Sequence, residues 1–510
     1  TGIIGHFGLG FYSSFMVSDK VEIITKSYKN EPAAHWICDG SPEYSLKKSE
    51  KKERGTEIIL HISKDSKDYL EESKISELLN KYNKFMPHPI KFGTKEETIP
   101  GKEGEKEEKV TIDNIINNPN PAWTKPPADL KDEDYKQFYR ELYPYQFEEP
   151  LFHIHLNVDY PFNLTGILYF PKISNDLNLQ KDRIQLYQNQ VFVTDNVEGM
   201  VPEFLGLLKG VIDSPDIPLN VSRSYLQSDA SVKKITNYIT RKVADKLNSI
   251  FKNERENLES KWNDIKVVIE YGMLTEDKFY DKAGSFNLYP TVDDKYFTYE
   301  ELEKKIKKLQ TDKDGNLIIL YAQNKDEQYT YIESAKEKGY EVLLLDSPII
   351  PHLMQKLESK KEKVKFSRVD SDTIENLIKK DEEVISKLTD EEKEKLKPMI
   401  ETAVENEKYT VQLEALDSNS MPFMLAQPEF MRRMKEMQQT GGGAMGNLPD
   451  MYSLIVNTNH ELVGKILNTR TEKKRNSLIK QSIDLAKLSQ NNLTGKDLTE
   501  FINRSIDLIK

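Results

Sequence analysis

A mixed α/β chain of several domains, α+β in its layering, is predicted from three observations. Short β-branched runs and amphipathic helical stretches alternate along the whole length, so strands and helices share the same blocks. A strand–helix–strand pattern at 317–346 specifies a parallel sheet. The 510 residues suffice for about three domains of roughly 150 residues each.

Composition narrows the function classes. Charged residues make up 31% and hydrophobic residues 37%, with a net charge of −11, so the surface is wet and acidic. No run approaches the ~18 apolar residues of a membrane helix, and the acidic balance disfavours broad nucleic-acid binding. Neither a membrane nor a nucleic acid is therefore expected as a partner. The single cysteine, Cys38, excludes a disulfide framework and a thiolate metal cluster, and it suits a reducing cytoplasm. Thr1-Gly2-Ile3-Ile4-Gly5 reads as the interior of a domain and neither as a start nor as a signal peptide. The expectation is an amino-terminally truncated chain.

The elements follow in order. Residues 1–93 form the first block, with strands expected at Val21–Thr25 and Thr56–Ile62 and a helix from Ser76 to Phe85. The stretch 94–115 begins with almost no apolar content through Lys109 and carries Gly and Pro breakers, which predicts a mobile charged linker. A middle block, 116–390, divides near 270. In its first half Phe152, Ile154, Leu156 and Val158 alternate with His153, His155 and Asn157, a half-buried strand whose histidines face solvent. Two His at i, i+2 lack a third ligand nearby, so no metal site is assigned. Gly166–Phe170 and Gln185–Val193 read as strands, and Ser231–Ile250 as a helix. In the second half, Leu317–Tyr321 and Val342–Asp346 flank a helix at Tyr331–Lys338. A helix-prone charge run from Ile378 to Lys397 leads into the last block, 391–510.

That last block is read as mainly helical. Seven of the chain's 13 Met lie in 421–451. Pro428 suits the first helical position and Gly441-Gly442-Gly443 ends the helix. Phe430, Met434 and Met437 share one face, with Arg432, Arg433, Lys435 and Glu436 towards the other. Such a Met stripe serves either core packing or an adaptable surface that re-packs around varied partners. Two further amphipathic helices follow, marked by Leu478, Ile479, Ile483, Leu485 and Ala486, then by Leu498, Phe501, Ile502, Ile506 and Ile509. They either pack on their own domain or meet a second pair in a dimer.

Two stretches carry chemistry. Gly5-His6-Phe7-Gly8-Leu9-Gly10-Phe11 spaces glycines at i, i+3 and i+5 ahead of an apolar helix, where backbone N–H groups can approach a phosphate. Alone, such a run also occurs in turns without ligands. Gly210 to Gln227 contains an extended loop braced by Pro215 and Pro218 and ending at Asn220 and Ser222, either able to cap a helix. Arg223 then sits in a first helical turn, against the local dipole. That placement suits an anionic partner or, equally, a pairing with Asp213 or Asp216.

With these stretches in view, the sequence closely resembles the ninety-kilodalton heat-shock protein family of molecular chaperones, in its bacterial HtpG branch. The resemblance covers essentially the whole chain. It rests on Ile4–Ser13, Arg54-Gly55-Thr56, Ala122-Trp123-Thr124, Gln185–Val193, Asp195-Asn196 and Gly210–Gln227, with Leu219–Arg223 the most specific part.

The resemblance implies an ATP-driven homodimeric clamp around unfolded or partly folded client proteins. Its domains would be the carboxy-terminal part of an ATP-binding domain of the gyrase, histidine kinase and MutL type (1–93), the linker, a middle domain and a dimerisation domain. Gly5, Phe7, Gly8, Leu9, Gly10 and Phe11 would line the phosphate and lid side of the pocket, and Thr56 its adenine side. Arg223 would contact the γ-phosphate as electrostatic stabilisation, supported by Asn220 and Gln227. His6 stands where many relatives have Gln. The general-base Glu, the Mg²⁺-ligating Asn and the adenine-binding Asp of the family all lie upstream of the glycine motif. The complete protein is thus expected to hydrolyse ATP with Mg²⁺, and this piece alone to be inactive. Client contact is assigned to Phe430, Met431, Met434 and Met437. The rivals are another ATPase of the same superfamily, of topoisomerase or mismatch-repair type, and a non-enzymatic client-binding scaffold.

Overall fold

The computed structural model describes residues 10–99, 108–172, 184–197, 201–217, 230–380, 384–404, 408–441 and 451–509. The chain divides into two compact units, Thr1–Val243 and Ala244–Lys510.

The first unit opens with a 3-10 helix, Gly10–Met16, where the sequence suggests a regular helix. Strands β1 (Ser18–Lys26), β2 (Ala33–Cys38), β3 (Tyr44–Ser49) and β4 (Gly55–Ile62) then form an antiparallel sheet of order β3-β2-β1-β4. Helix α1 spans Glu72–Tyr82, starting and ending earlier than the apolar spacing indicates.

The charged stretch expected to be a mobile linker contains two paired strands, β5 (Lys91–Ile99) and β6 (Glu108–Ile115). Composition misleads here because the pairing is built from β-branched Thr94, Thr98, Val110 and Thr111 and from opposite charges across the ribbon. Lys109 meets Glu96 at 3.3 Å and Lys91 meets Asp113 at 2.6 Å.

After helix α2 (Asp132–Leu142), a five-stranded sheet of order β10-β9-β11-β8-β7 forms the next layer. Its strands are β7 (Phe152–Val158), β8 (Leu164–Phe170), β9 (Ile184–Gln188), β10 (Val191–Thr194) and β11 (Lys209–Asp213). The single strand expected at 185–193 is a hairpin, because Asn189 and Gln190 take φ of 51° and 63° at its turn. The β7 histidines do not face solvent. His153 stacks on Tyr135 of α2 at 3.8 Å and His155 Nδ1 meets the Tyr135 hydroxyl at 3.0 Å, so both faces of β7 are covered. An aromatic core including Phe85, Trp123, Phe138, Tyr169 and Tyr187 fills the space between α2 and the sheet. Helix α3 (Ala230–Asn253) contains the division between the units.

The second unit continues with α4 (Arg255–Ser260), α5 (Trp262–Thr275) and α6 (Asp277–Ala283). A short ribbon, β12 (Tyr289–Pro290) with β13 (Tyr296–Phe297), precedes α7 (Tyr299–Ile306). The expected parallel sheet follows, with order β15-β14-β16: β14 (Leu317–Ala322), β15 (Val342–Leu344) and β16 (Val364–Arg368). Helices α8 (Tyr329–Glu337) and α9 (Ile350–Lys360) make its crossovers, and α10 (Ile374–Leu377) follows. Among the described residues the charge run beyond 378 is helical only from Asp390, where the Thr389 hydroxyl caps α11 (Asp390–Glu401).

The final block adds a three-stranded sheet to the helices expected there. Strands β17 (Tyr409–Glu414) and β19 (Tyr452–Asn457) pair in parallel, and β18 (Phe423–Ala426) lies antiparallel on β19. Met424 therefore belongs to a strand, and only part of the Met-rich stretch is helix α12 (Glu429–Gly441). Helices α13 (Glu461–Asn468), α14 (Glu472–Ser489) and α15 (Gly495–Ile509) close the chain. Val411, Leu425, Leu454, Ile479 and Ile483 are part of the core between this sheet and its helices.

Candidate functional site

Three groups of residues are singled out by the sequence, and the structure describes them unevenly. Gly5, Phe7, Gly8 and Leu9 lie outside the described residues, as do Asn220, Arg223 and Gln227. Gly10 and Phe11 are described. Phe11 packs edge-on against Trp36 with ring centres 5.7 Å apart. Trp36 pairs with Ile23, and Ile23 with Ile58, while Thr25 pairs with Thr56 one step along. Partners across a ladder share a face, so Phe11 and Thr56 are on one side of the sheet. There the Thr25 and Thr56 hydroxyls meet at 2.8 Å beside the exposed Ile58. Among the described residues no group of three or more His, Cys, Asp or Glu is arranged to hold a metal ion.

The loop that carries Arg223 is described as far as residue 217, and its stem is firmly tied. Gly210 begins it with φ of 128°, and a Cβ there would stand 2.0 Å from the Ile167 carbonyl oxygen. Only glycine fits this close approach. The Gly210 N–H donates to the Tyr143 hydroxyl at 2.7 Å. Asp213 is buried and accepts from the Trp123 indole N–H (3.2 Å) and the Gln190 backbone N–H (2.9 Å). Burial pushes the Asp213 carboxyl above its usual range, against the pull of those two donors. Asp216 accepts from the Asn163 backbone N–H at 2.5 Å, and the Ser214 hydroxyl donates to the Asn163 carbonyl at 2.6 Å. Gln188 donates to the carbonyls of Pro215 and Ile217. Asp213 and Asp216, the two acids considered as partners of Arg223, are thus engaged by other groups.

The third group is on α12. Phe430 is 70% exposed, and Met431, Met434 and Met437 are half-buried. Phe430, Met434 and Met437 line a groove of about 880 Å³ whose opposite wall includes Ile318, Phe366 and Leu377. The other face of the helix is charged and points inward. Arg432 is 3% exposed, and Glu429 Oε1 accepts from Arg432, from Arg433 and from the Tyr321 hydroxyl at 2.6, 2.6 and 2.7 Å. Burial works to raise the Glu429 carboxyl, but the Arg432 and Arg433 guanidinium groups outweigh it and hold it below the usual range.

Comparison with known proteins identifies the family of the chain. The family model for the Hsp90 protein matches residues 93–504. The chaperone protein htpG of Bacteroides fragilis (strain YCH46) is 50% identical, covering 99% of this chain and 84% of that relative. The chain belongs to the Hsp90 family. Another Hsp90-family relative, the chaperone protein HtpG of Porphyromonas gingivalis (strain ATCC 33277), is 53% identical over 95% of this chain and 71% of its own length. One from Clostridium perfringens (strain ATCC 13124) is 30% identical over the whole chain and 82% of its own length. The chain is accordingly a molecular chaperone of the HtpG type, and the topoisomerase and mismatch-repair alternative is set aside. Hsp90-family proteins as a class bind and hydrolyse ATP and dimerise around clients. No helix among the described residues is long and apolar enough to cross a membrane.

The sequence reading missed several positioning residues. Trp123, Gln190, Asn163 and Tyr143 come from four separate segments to hold the loop stem. Trp123 and Gln190 do fall in stretches that carry the family resemblance; Tyr143 and Asn163 have no local signal.

Proposed function

We propose that this chain works in the cytoplasm as part of an ATP-driven homodimeric clamp that binds unfolded or partly folded proteins along α12. In this reading residues 1–93 belong to the ATP-binding domain and 94–115 connect it to a middle domain, 116–390. Residues 391–510 dimerise and touch clients. The observation that carries the client assignment is the orientation of α12: its charged face is engaged by the protein, which leaves Phe430, Met434 and Met437 along a groove. Soft, unbranched Met side chains suit a groove that takes many sequences. Dimerisation is assigned to α14 and α15, where Leu485, Leu488, Ile502 and Ile506 are 40–48% exposed.

Bound ATP with Mg²⁺ would supply the phosphoryl-transfer energy of the cycle. Thr56 would meet the base, Gly5 to Phe11 would approach the phosphates, and Arg223, with Asn220 and Gln227, would meet the terminal one. The tied stem from Gly210 to Ile217 supports this reading, because a guanidinium must be held in place to stabilise developing charge.

The test has two arms. Met431→Lys with Met434→Lys should weaken suppression of client aggregation several-fold, while light scattering still reports a dimer; unchanged suppression would sink the client assignment. ATP turnover is then measured in this chain and in a chimera carrying the amino-terminal segment of the Bacteroides fragilis relative ahead of Thr1. Arg223→Ala should cost the active form about a hundred-fold. Turnover indifferent to Arg223 would remove it from the mechanism.

A further inference from the structure

Helix α12 docks inside out. An ordinary surface helix buries its apolar stripe and exposes its charges, whereas α12 buries Arg432 and leaves Phe430 70% exposed. Its charged face sits at the carboxyl ends of β14 and β16, the edge of a parallel sheet where ligands commonly bind. Tyr321, next to last in β14, donates to Glu429 Oε1 at 2.7 Å, and its hydroxyl also contacts Arg432. The backbone N–H of Arg368, last in β16, donates to Glu429 Oε2 at 3.0 Å. Arg433 forks onto Glu358 of α9 at 2.8 and 3.2 Å and reaches the Phe366 carbonyl at 2.5 Å. Arg432 also donates to Glu436 at 2.6 Å, and Gln323 at the sheet edge reaches Glu436 at 3.4 Å.

A contact of this chemistry orients strongly and contributes little net energy. Burying these charges costs most of what their attraction returns, and undocking gives the hydration back. An apolar interface, by contrast, loses about 25 cal/mol for each Å² re-exposed. The Arg432 Nε–H is also buried without an acceptor among the described residues, a cost that release would remove.

We propose that the Glu429–Arg432–Arg433 cluster is a releasable latch that regulates the client-contact helix. Latched, α12 forms one wall of the groove against Phe366 and Leu377. Released, it presents its Phe430 and Met face as a separate amphipathic arm, and the groove is lost. This inference rests on the assignment of α12 to client contact for its consequence, though not for its geometry.

The test is hydrogen exchange in the intact chain. Arg432→Met keeps the volume and removes one of the two guanidinium partners of Glu429, which leaves the buried carboxylate with Arg433, the Tyr321 hydroxyl and the Arg368 N–H. Exchange across 430–437 should accelerate at least about ten-fold while β14 and β16 stay protected. Tyr321→Phe, a milder change, should give about a five-fold acceleration. Unchanged protection in both variants overturns the latch. So does loss of protection throughout β14 and β16, because the cluster would then be part of the sheet's core. With the latch released, suppression of client aggregation should shift several-fold from the wild type. If exchange accelerates as stated but suppression is unmoved both here and in Met431→Lys/Met434→Lys, the latch stands and the client assignment falls.

Discussion

Asp213 and Glu429 are both buried carboxylates that hold a segment in place, and they do so by different chemistry. Asp213 meets neutral donors, the Trp123 indole and the Gln190 backbone, inside an aromatic core. Glu429 meets two guanidinium groups, a phenol and a backbone N–H on the inner face of a helix whose outer face is apolar. Burial raises the first carboxyl, while the arginines lower the second despite burial. The difference separates anchoring from orientation. At Asp213 the hydrogen bonds come with large apolar contact, so the stem of the loop is part of the core. At Glu429 the charges compensate one another, and the inner face of the helix is held by ion pairs and hydrogen bonds.

The largest expected effect follows from the anchored side. Trp123 is 0% exposed and its ring centre is 4.8 Å from that of Phe85 and 5.3 Å from that of Tyr187. Trp123→Ala should therefore cost about 3–5 kcal/mol of first-unit stability through cavity formation. Trp123→Phe, which keeps one ring but removes the N–H donor to Asp213 together with part of the indole volume, should cost less, about 1–3 kcal/mol. Denaturant-dependent hydrogen exchange in β9 and β11 measures both. Equal losses would mean that the hydrogen bond matters more than the packing.

A third buried carboxylate sharpens the comparison because its neighbours are too weak to offset burial. Glu270 of α5 is buried, and its Oε2 has no hydrogen-bond partner among the described residues. Lys266, one turn earlier, is engaged by Asp346. Burial pushes Glu270 up to about 7, with Ser347 and Lys266 opposing and Asp346 reinforcing. A raised carboxyl means that the folded state holds the proton more tightly than the unfolded state. Stability is thus highest below the ordinary value of 4.5 and declines as pH rises from there through about 7. The span amounts to at most on the order of 3 kcal/mol. Glu270→Gln, which imitates the protonated form, should raise the second-unit melting temperature at pH 8 and leave it nearly unchanged at pH 4. A variant as pH-sensitive as the wild type would refute the assignment to Glu270.

These carboxylates also show what could be read without a structure. Strands β1, β7 and β14 and the parallel pairing of β14 with β15 follow from periodicity, because β-branched runs and alternation express burial directly along the chain. The β5–β6 ribbon was hidden because its pairing energy is cross-strand and its composition imitates a linker. The β9–β10 hairpin was hidden because two ordinary polar residues, Asn189 and Gln190, take left-handed backbone at its turn. The face of α12 was read correctly as a partition of residues, with Phe430, Met434 and Met437 on one side. Which side points inward depended on Tyr321, Glu358 and Phe366, which precede α12 by 63 residues or more. Sequence spacing along α12 carries no trace of them.

The smallest effect probes the outer end of the ionic cluster. Glu358 is 24% exposed at its side chain and Arg433 13%, against 4% for Arg432. Glu358 also accepts from the Phe366 backbone N–H at 2.7 Å, a bond that Gln can keep. Glu358→Gln removes one charge from a pair that water partly reaches, and Arg433 retains Glu429 and the Phe366 carbonyl. The expected loss is about 0.5–1 kcal/mol, the range of partly exposed ion pairs. It should appear as a few-fold faster exchange confined to 430–437. Salt discriminates further. Screening acts on charges that solvent reaches and hardly on those that it does not. Wild-type exchange in α12 should therefore respond to ionic strength only through the Glu358–Arg433 end, and that response should shrink in Glu358→Gln. An undiminished response would place the salt-sensitive step elsewhere in the cluster, and α12 would then be oriented from its inner end alone.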